Sequence, residues 1–180
     1  MQASSNIFLI GPMGSGKSTI GRLLAAELGA PFFDSDHEIE RRCGCDIPWI
    51  FDIEGESGFR LRETQVIEQL TRRHGIVLAT GGGAVTREAN RQLLAERGVV
   101  ILLHTTVAQQ LKRTARDQNR PLLNCEDPAE RLRQLMAERE PFYREVADIE
   151  IHTERRGPRG VIADIKRQLK RYWREQAGIS

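Results

Sequence analysis

Three short runs at residues 7–10, 76–79 and 99–103 are apolar and largely β-branched, with no polar position alternating through them. That is the pattern of strands covered on both faces in a parallel sheet. Pro31-Phe32-Phe33 and Ile149-Glu150-Ile151 are weaker strand candidates and bring the number to five. Between them, helical patterning predicts helices over 18–28, 56–73, 87–96, 107–116, 128–146 and 161–176. Strand and helix alternate throughout, so the chain reads as βαβ units with right-handed crossovers. The expected fold is a three-layer α/β/α domain with a mainly parallel five-stranded sheet. The alternation breaks over 117–126, where Asn119, Pro121 and Asn124 and the following Asp127-Pro128 scatter turn signals between two helices, and this predicts a mobile loop.

Length and composition narrow this picture. At 180 residues the chain suits one domain over 1–180, and 39% hydrophobic with 29% charged residues leaves enough apolar side chain for a core. Twenty-seven basic against 25 acidic residues give a net charge of +2, spread along the chain. No strong field is present to recruit nucleic acid or an anionic membrane. Three cysteines, Cys43, Cys45 and Cys125, do not form the usual zinc spacing and read as free thiols in a reducing compartment. The polar start of the chain is unlike a signal peptide, and no window approaches the roughly 20 apolar residues of a membrane span. A cytoplasmic protein is expected.

The chemistry begins at Gly11-Pro12-Met13-Gly14-Ser15-Gly16-Lys17-Ser18, which fits G-x-x-x-x-G-K-[ST] between the first strand and the first helix. Glycines let consecutive N–H groups turn toward phosphate oxygens, and the helix start adds favourable field. Lys17 would bridge the β- and γ-phosphates of ATP, and the Ser18 hydroxyl would ligate Mg2+. A phosphate cradle alone does not separate a kinase from a switch or an ATPase.

Asp34-Ser35-Asp36 follows the second strand, at the carboxyl end where open α/β sheets bind ligands. Period-two alternation would send both carboxylates to one side, one toward Mg2+ and the other toward the hydroxyl to be phosphorylated. Capping of a helix through Glu38, Ile39 and Glu40 explains the same residues. Thr80-Gly81-Gly82-Gly83 follows another strand, and glycines there allow backbone to approach a ligand. Arg60 and Arg139 could meet a carboxylate through two parallel hydrogen bonds, although most arginines in so arginine-rich a chain are solvated. No strand ends in an apolar run followed by Asp, so the usual second metal carboxylate of phosphate-loop proteins is not visible; Val77-Leu78-Ala79-Thr80-Gly81 stands in its place.

The phosphate loop, Asp34-Ser35-Asp36, Gly58-Phe59-Arg60 with Glu63, Gly81-Gly82-Gly83, Arg120-Pro121-Leu122-Leu123 and Arg139-Glu140-Pro141-Phe142-Tyr143 occur in this order. Together, from about residue 6 to 153, they resemble the shikimate kinase family. The resemblance implies transfer of the ATP γ-phosphoryl group to the 3-hydroxyl of shikimate, with Lys17, Asp36 and Arg120 as catalytic residues. It implies that Asp36, Arg60, Gly82, Gly83 and Arg139 hold shikimate and that Ser18 and Asp34 serve Mg2+. Gly14, Ser15, Gly16, Lys17, Ser18 and Thr19 would hold ATP together with Arg113, Arg120 and Arg155 or Arg156. It further implies a lid insertion at about 116–127, a substrate-binding helical region at about 36–63 and a monomer. Two rivals stay open: another small phosphate-loop kinase, such as one acting on gluconate or a nucleoside monophosphate, and a nucleotide-binding regulator without transferase activity. The tail from about Tyr172 falls outside the resemblance.

Overall fold

The computed structural model describes residues 5–115, 121–154 and 156–178. Its centre is β1 (Asn6–Ile10), five residues that are all buried. Ile7 and Leu9 face one side of the sheet and Phe8 and Ile10 the other, so the run must be apolar on both faces. The same alternation divides β4 (Gly98–His104), with Val99, Ile101 and Leu103 on one face and Val100 and Leu102 on the other. Burying Phe8, Leu9 and Ile10 completely stabilises the fold by about 1.5–3 kcal/mol for each side chain.

Five strands pair in the order β2-β3-β1-β4-β5, all parallel, with β2 at Phe32–Asp34, β3 at Val77–Ala79 and β5 at Ile149–His152. The expected architecture is therefore the observed one. Helices α1 (Lys17–Leu28) and α7 (Pro158–Gln176) cover one face. On the other lie α2 (Ser35–Cys43), α3 (Ile47–Thr71), α4 (Glu88–Arg97) and α6 (Pro128–Val146). The short α5 (Val107–Thr114) follows β4. The chain leaves β1 toward one face through α1 and leaves the neighbouring β3 toward the other through α4. That divergence opens a crevice at the carboxyl ends of β1 and β3, the place where sheets of this kind bind ligands.

Two expectations shift. The helix predicted from residue 56 begins earlier, at Ile47, as part of a longer run broken at Gly55, whose φ of 68° and ψ of 179° are not helical. Only glycine adopts that geometry without strain, so the break is written in the sequence. Predicted strand Pro31-Phe32-Phe33 is displaced by one residue and ends on Asp34, which changes how the next carboxylate is delivered.

Helix α2 carries part of the site on its first turn and is braced by charge pairs further along. Glu38 Oε2 accepts from Arg41 Nε at 2.8 Å and Glu38 Oε1 from Arg42 Nε at 2.7 Å. The hydrogen bond from Arg41 is the largest effect on the Glu38 carboxyl; burial opposes it, but with the hydrogen bond and charge of Arg42 added the carboxyl is held down to about 2. A depressed carboxylate contributes stability above its unfolded value of 4.5 and loses it as the pH falls through about 2. Because Arg41 is mostly exposed, the pairs are worth only about 1 kcal/mol. Glu38→Gln should therefore lower the Tm at pH 7 by roughly 2–4 °C, and the difference should vanish between pH 4.5 and 2. A constant difference over that range in thermal melts would remove this role.

Candidate active site

The loop from Gly11 to Gly16 joins β1 to α1 through three glycines with φ of 137°, 73° and 96° at Gly11, Gly14 and Gly16. A Cβ on Gly11 would also stand 2.5 Å from the Leu103 carbonyl oxygen of β4. No side chain caps α1, so its first N–H groups are left for an anion. Buried Lys17 Nζ donates to the carbonyls of Gly11 and Pro12, both at 2.8 Å, and lies 3.4 Å from Ser15 Oγ. Ser15 is buried beneath the loop, while Ser18 and Thr19 are exposed on the first turn. Arg113, on α5, reaches back across the loop and donates from Nη1 to the Gly14 carbonyl at 2.8 Å. A cavity of about 290 Å³ opens above this cradle, bounded by Gly14, Lys17, Ser18, Asp34, Thr80 and Arg113 among others.

Asp34 does two things at once. Its Oδ1 caps α2, accepting from Asp36 N at 3.1 Å and His37 N at 3.3 Å. Its Oδ2 accepts from Ser18 Oγ at 2.5 Å. Helix capping and the metal-side reading are thus two oxygens of one carboxylate rather than rivals. The alternation expected to deliver Asp36 is corrected, because Asp34 is the last strand residue and Asp36 is already in the first turn of α2. Asp36 reaches the cleft by the helical turn. Between them Ser35, fully buried, accepts from Gly81 N at 2.9 Å and ties α2 to the glycine loop after β3.

A second, smaller cavity of about 60 Å³ lies beside the first. Asp36, Arg60, Gly82, Gly83 and Arg139 all border it. The glycines are needed for space here: a Cβ on Gly83 would overlap the Arg60 guanidinium, and one on Gly81 would stand 2.5 Å from Glu63 Oε1. Arg60 is buried and donates from Nη1 to Glu63 Oε2 at 2.7 Å, and from Nε and Nη2 to Glu56 Oε1 at 3.3 and 3.0 Å. Burial works against its charge, but Glu63 and Glu56 outweigh that and hold the guanidinium above its usual range. For Glu63, completely buried, burial raises the carboxyl above its ordinary value while Arg60 and then Arg139 pull it back.

Arg139 comes from α6, where it is 4% exposed and its Nε has no hydrogen-bond partner among the described residues. An orphaned buried donor of a charged group is costly. One turn on, the Tyr143 hydroxyl donates to the Gly82 carbonyl in a short hydrogen bond. Burial pushes that phenol up to about 12, so it stays a donor at any physiological pH. The sequence assigns no role to Glu56, Glu63 or Tyr143, and to Ser35 only that of a helix cap. Glu56 and Glu63 stand four before and three after Arg60, and Tyr143 four after Arg139, so helical spacing was the available sign.

The two cavities share Met13, Asp36 and Gly82, so they are adjoining chambers of one cleft with Asp36 on their boundary. Pro121 and Leu122, from the turn-rich segment, close part of the second chamber. Arg120 and Arg155 lie outside the described residues. Arg156 does not border either chamber; it is ion-paired with Asp164 of α7, which Arg167 also reaches at 2.6 Å.

Comparison with known proteins gives a consistent result. A family model described as shikimate kinase matches residues 13–170. A shikimate kinase from Chromohalobacter salexigens is 61% identical over 171 residues, which is 95% of this chain and 95% of that protein. The solved structure of a shikimate kinase from Acinetobacter baumannii in complex with shikimate superposes with a TM-score of 0.90 at 54% identity, covering 92% of each chain. A gluconokinase from Sinorhizobium meliloti superposes with a TM-score of 0.61 at 16% identity, over 97% of this chain and 99% of its own, and shares the fold alone.

Proposed function

Because this chain belongs to the shikimate kinase family, we propose that it transfers the γ-phosphoryl group of ATP to the 3-hydroxyl of shikimate, releasing shikimate 3-phosphate and ADP. The observation that carries the reading is the position of Asp36 on the boundary between the phosphate cradle and the arginine-lined chamber. A hydroxyl lying there meets a carboxylate on one side and the end of a nucleotide on the other.

The bond changes are simple. The acceptor oxygen forms a bond to the γ-phosphorus as the bond from that phosphorus to the β–γ bridging oxygen breaks, and ADP leaves. Asp36 accepts the hydrogen bond of the attacking hydroxyl and takes its proton or fixes its direction. Lys17 and, from its place in the motif, Arg120 offset negative charge on the transferring group, while Arg113 is proposed as a nucleotide contact on the adenine side. Arg60 and Arg139 hold the acceptor carboxylate, which fits the orphaned Nε of Arg139. Glycines 82 and 83 line that chamber without side chains that would fill it.

Ser18 Oγ and Asp34 Oδ2, 2.5 Å apart beside the cradle, form the hard oxygen pair that suits Mg2+. Among the described residues no cluster of three acidic, histidine or cysteine groups exists, so the phosphates and water would supply the remaining ligands. When bound, the ion would neutralise phosphate charge. Arg156 is proposed as a contact on the adenine side only if its pair with Asp164 opens. The segment at about 116–127 is proposed as a lid over the cleft and the helical region at about 36–63 as the acceptor-binding part of a single domain. One chain supplies both chambers, which supports action as a monomer, and we propose that it works in the cytoplasm, in the pathway to chorismate. No helix among the described residues is long and apolar enough to cross a membrane.

The test is ADP release by the purified chain with shikimate, gluconate and nucleoside monophosphates as acceptors. Turnover should rise at least a hundredfold with shikimate and hardly at all with the others, since a polar site rejects analogues that leave its groups unpaired by about that much or more. Preference for gluconate, or ATP hydrolysis indifferent to every acceptor, would overturn the reading.

A further inference from the structure

The Arg60 guanidinium is held by two carboxylates of very different standing. Glu63 has no exposed side-chain surface and is fixed on Nη1 at 2.7 Å, under the glycine loop. Glu56 is 48% exposed, follows the helical break at Gly55, and places one oxygen, Oε1, across both Nε and Nη2. With Nη1 already held by Glu63, that edge is where a second carboxylate could accept two parallel hydrogen bonds. It is occupied by the protein's own carboxylate, on the side chain best able to swing into water.

We infer that Glu56 is a built-in competitor for the acceptor's carboxylate at Arg60, displaced when an acid enters the chamber, and so a determinant of acceptor specificity. The inference rests on the proposed seating of the acceptor carboxylate on Arg60. Exchange keeps the charge of the site constant, because one negative group replaces another beside Arg60 while Glu63 stays in place. An acceptor without a carboxylate gives Arg60 nothing in return for Glu56, which then remains across the fork. Selectivity arises at the expense of affinity for the true acceptor, as negative elements in a binding site generally work.

Glu56→Gln and Glu56→Ala each test this, since either removes the competing charge from an exposed position. Both should lower the KM for shikimate by about three- to tenfold, the scale of a partly exposed charge-assisted contact, with kcat and the KM for ATP unchanged. The benefit should disappear in an Arg60→Ala background, where there is no fork to contest. A rise in the shikimate KM would show instead that Glu56 orients Arg60, and no change would show that it is a surface pair; either overturns the inference. If Arg60→Ala alone leaves the shikimate KM unchanged, the seating of the acceptor fails and the inference with it. Melting temperatures of the Glu56 variants should match the parent, so a KM shift cannot be assigned to unfolding.

Discussion

Asp36→Asn is expected to lower kcat with shikimate by about 10²–10⁴-fold, the contribution usual for a positioned acid or base. The substitution keeps the shape of the side chain and removes its charge and its capacity to take a proton. Asp36 touches both chambers, but the cradle is built by the loop, Lys17, Ser18 and Asp34, where Lys17 donates to the Gly11 and Pro12 carbonyls and Ser18 to Asp34. The KM for ATP should therefore move by less than about threefold, because an interaction made only in the transition state costs kcat alone. Steady-state kinetics with each substrate varied separately check this. Equal damage to ATP binding would mean that Asp36 belongs to the nucleotide site and not to the acceptor.

Arg139→Ala should act on the other parameter. Its guanidinium is buried, borders the acceptor chamber and keeps an unpartnered Nε. Removing one side of a buried charge pair costs about 2–5 kcal/mol, which corresponds to a rise in the shikimate KM of roughly 30- to 5,000-fold. Arg139 also lies beside Glu63 and Tyr143, and lowers both of their proton affinities. Some loss of thermal stability should accompany the variant, but the KM for ATP should stay near the parent value. An unchanged shikimate KM would remove Arg139 from the acceptor site.

What could be read in advance divides along physical lines. The phosphate loop was legible because it is spelled by contiguous residues whose spacing is itself the mechanism, from Gly11 to Ser18. Strands β1 and β4 were legible because burial on both faces leaves a continuous apolar run. Strand β5 gave a weaker sign, since its Glu150 and His152 are exposed. Helix α3 was only half visible: Trp49, Ile53 and Leu61 are exposed, so its apolar residues do not form one stripe. In the acceptor chamber Arg60 and Arg139 stand 24 and 103 positions from Asp36, and nothing in local pattern distinguishes them from the other arginines. Resemblance, not periodicity, picked them out. Even so, it left Glu56 out and gave Tyr143 no role, since their contacts appear only once side chains are placed, and the link proposed for Arg156 meets a competing partner in Asp164.

The central claim is that an acid seated on Arg60 and Arg139 presents its hydroxyl to Asp36 across from the phosphate cradle. A crystal structure of this chain with shikimate, ADP and Mg2+ tests it most directly. The 3-hydroxyl oxygen should lie about 2.6–3.2 Å from an Asp36 carboxylate oxygen, with the shikimate carboxylate on both guanidinium groups. Shikimate bound elsewhere, or bound with its carboxylate toward Lys17 and its 3-hydroxyl away from Asp36, would contradict it.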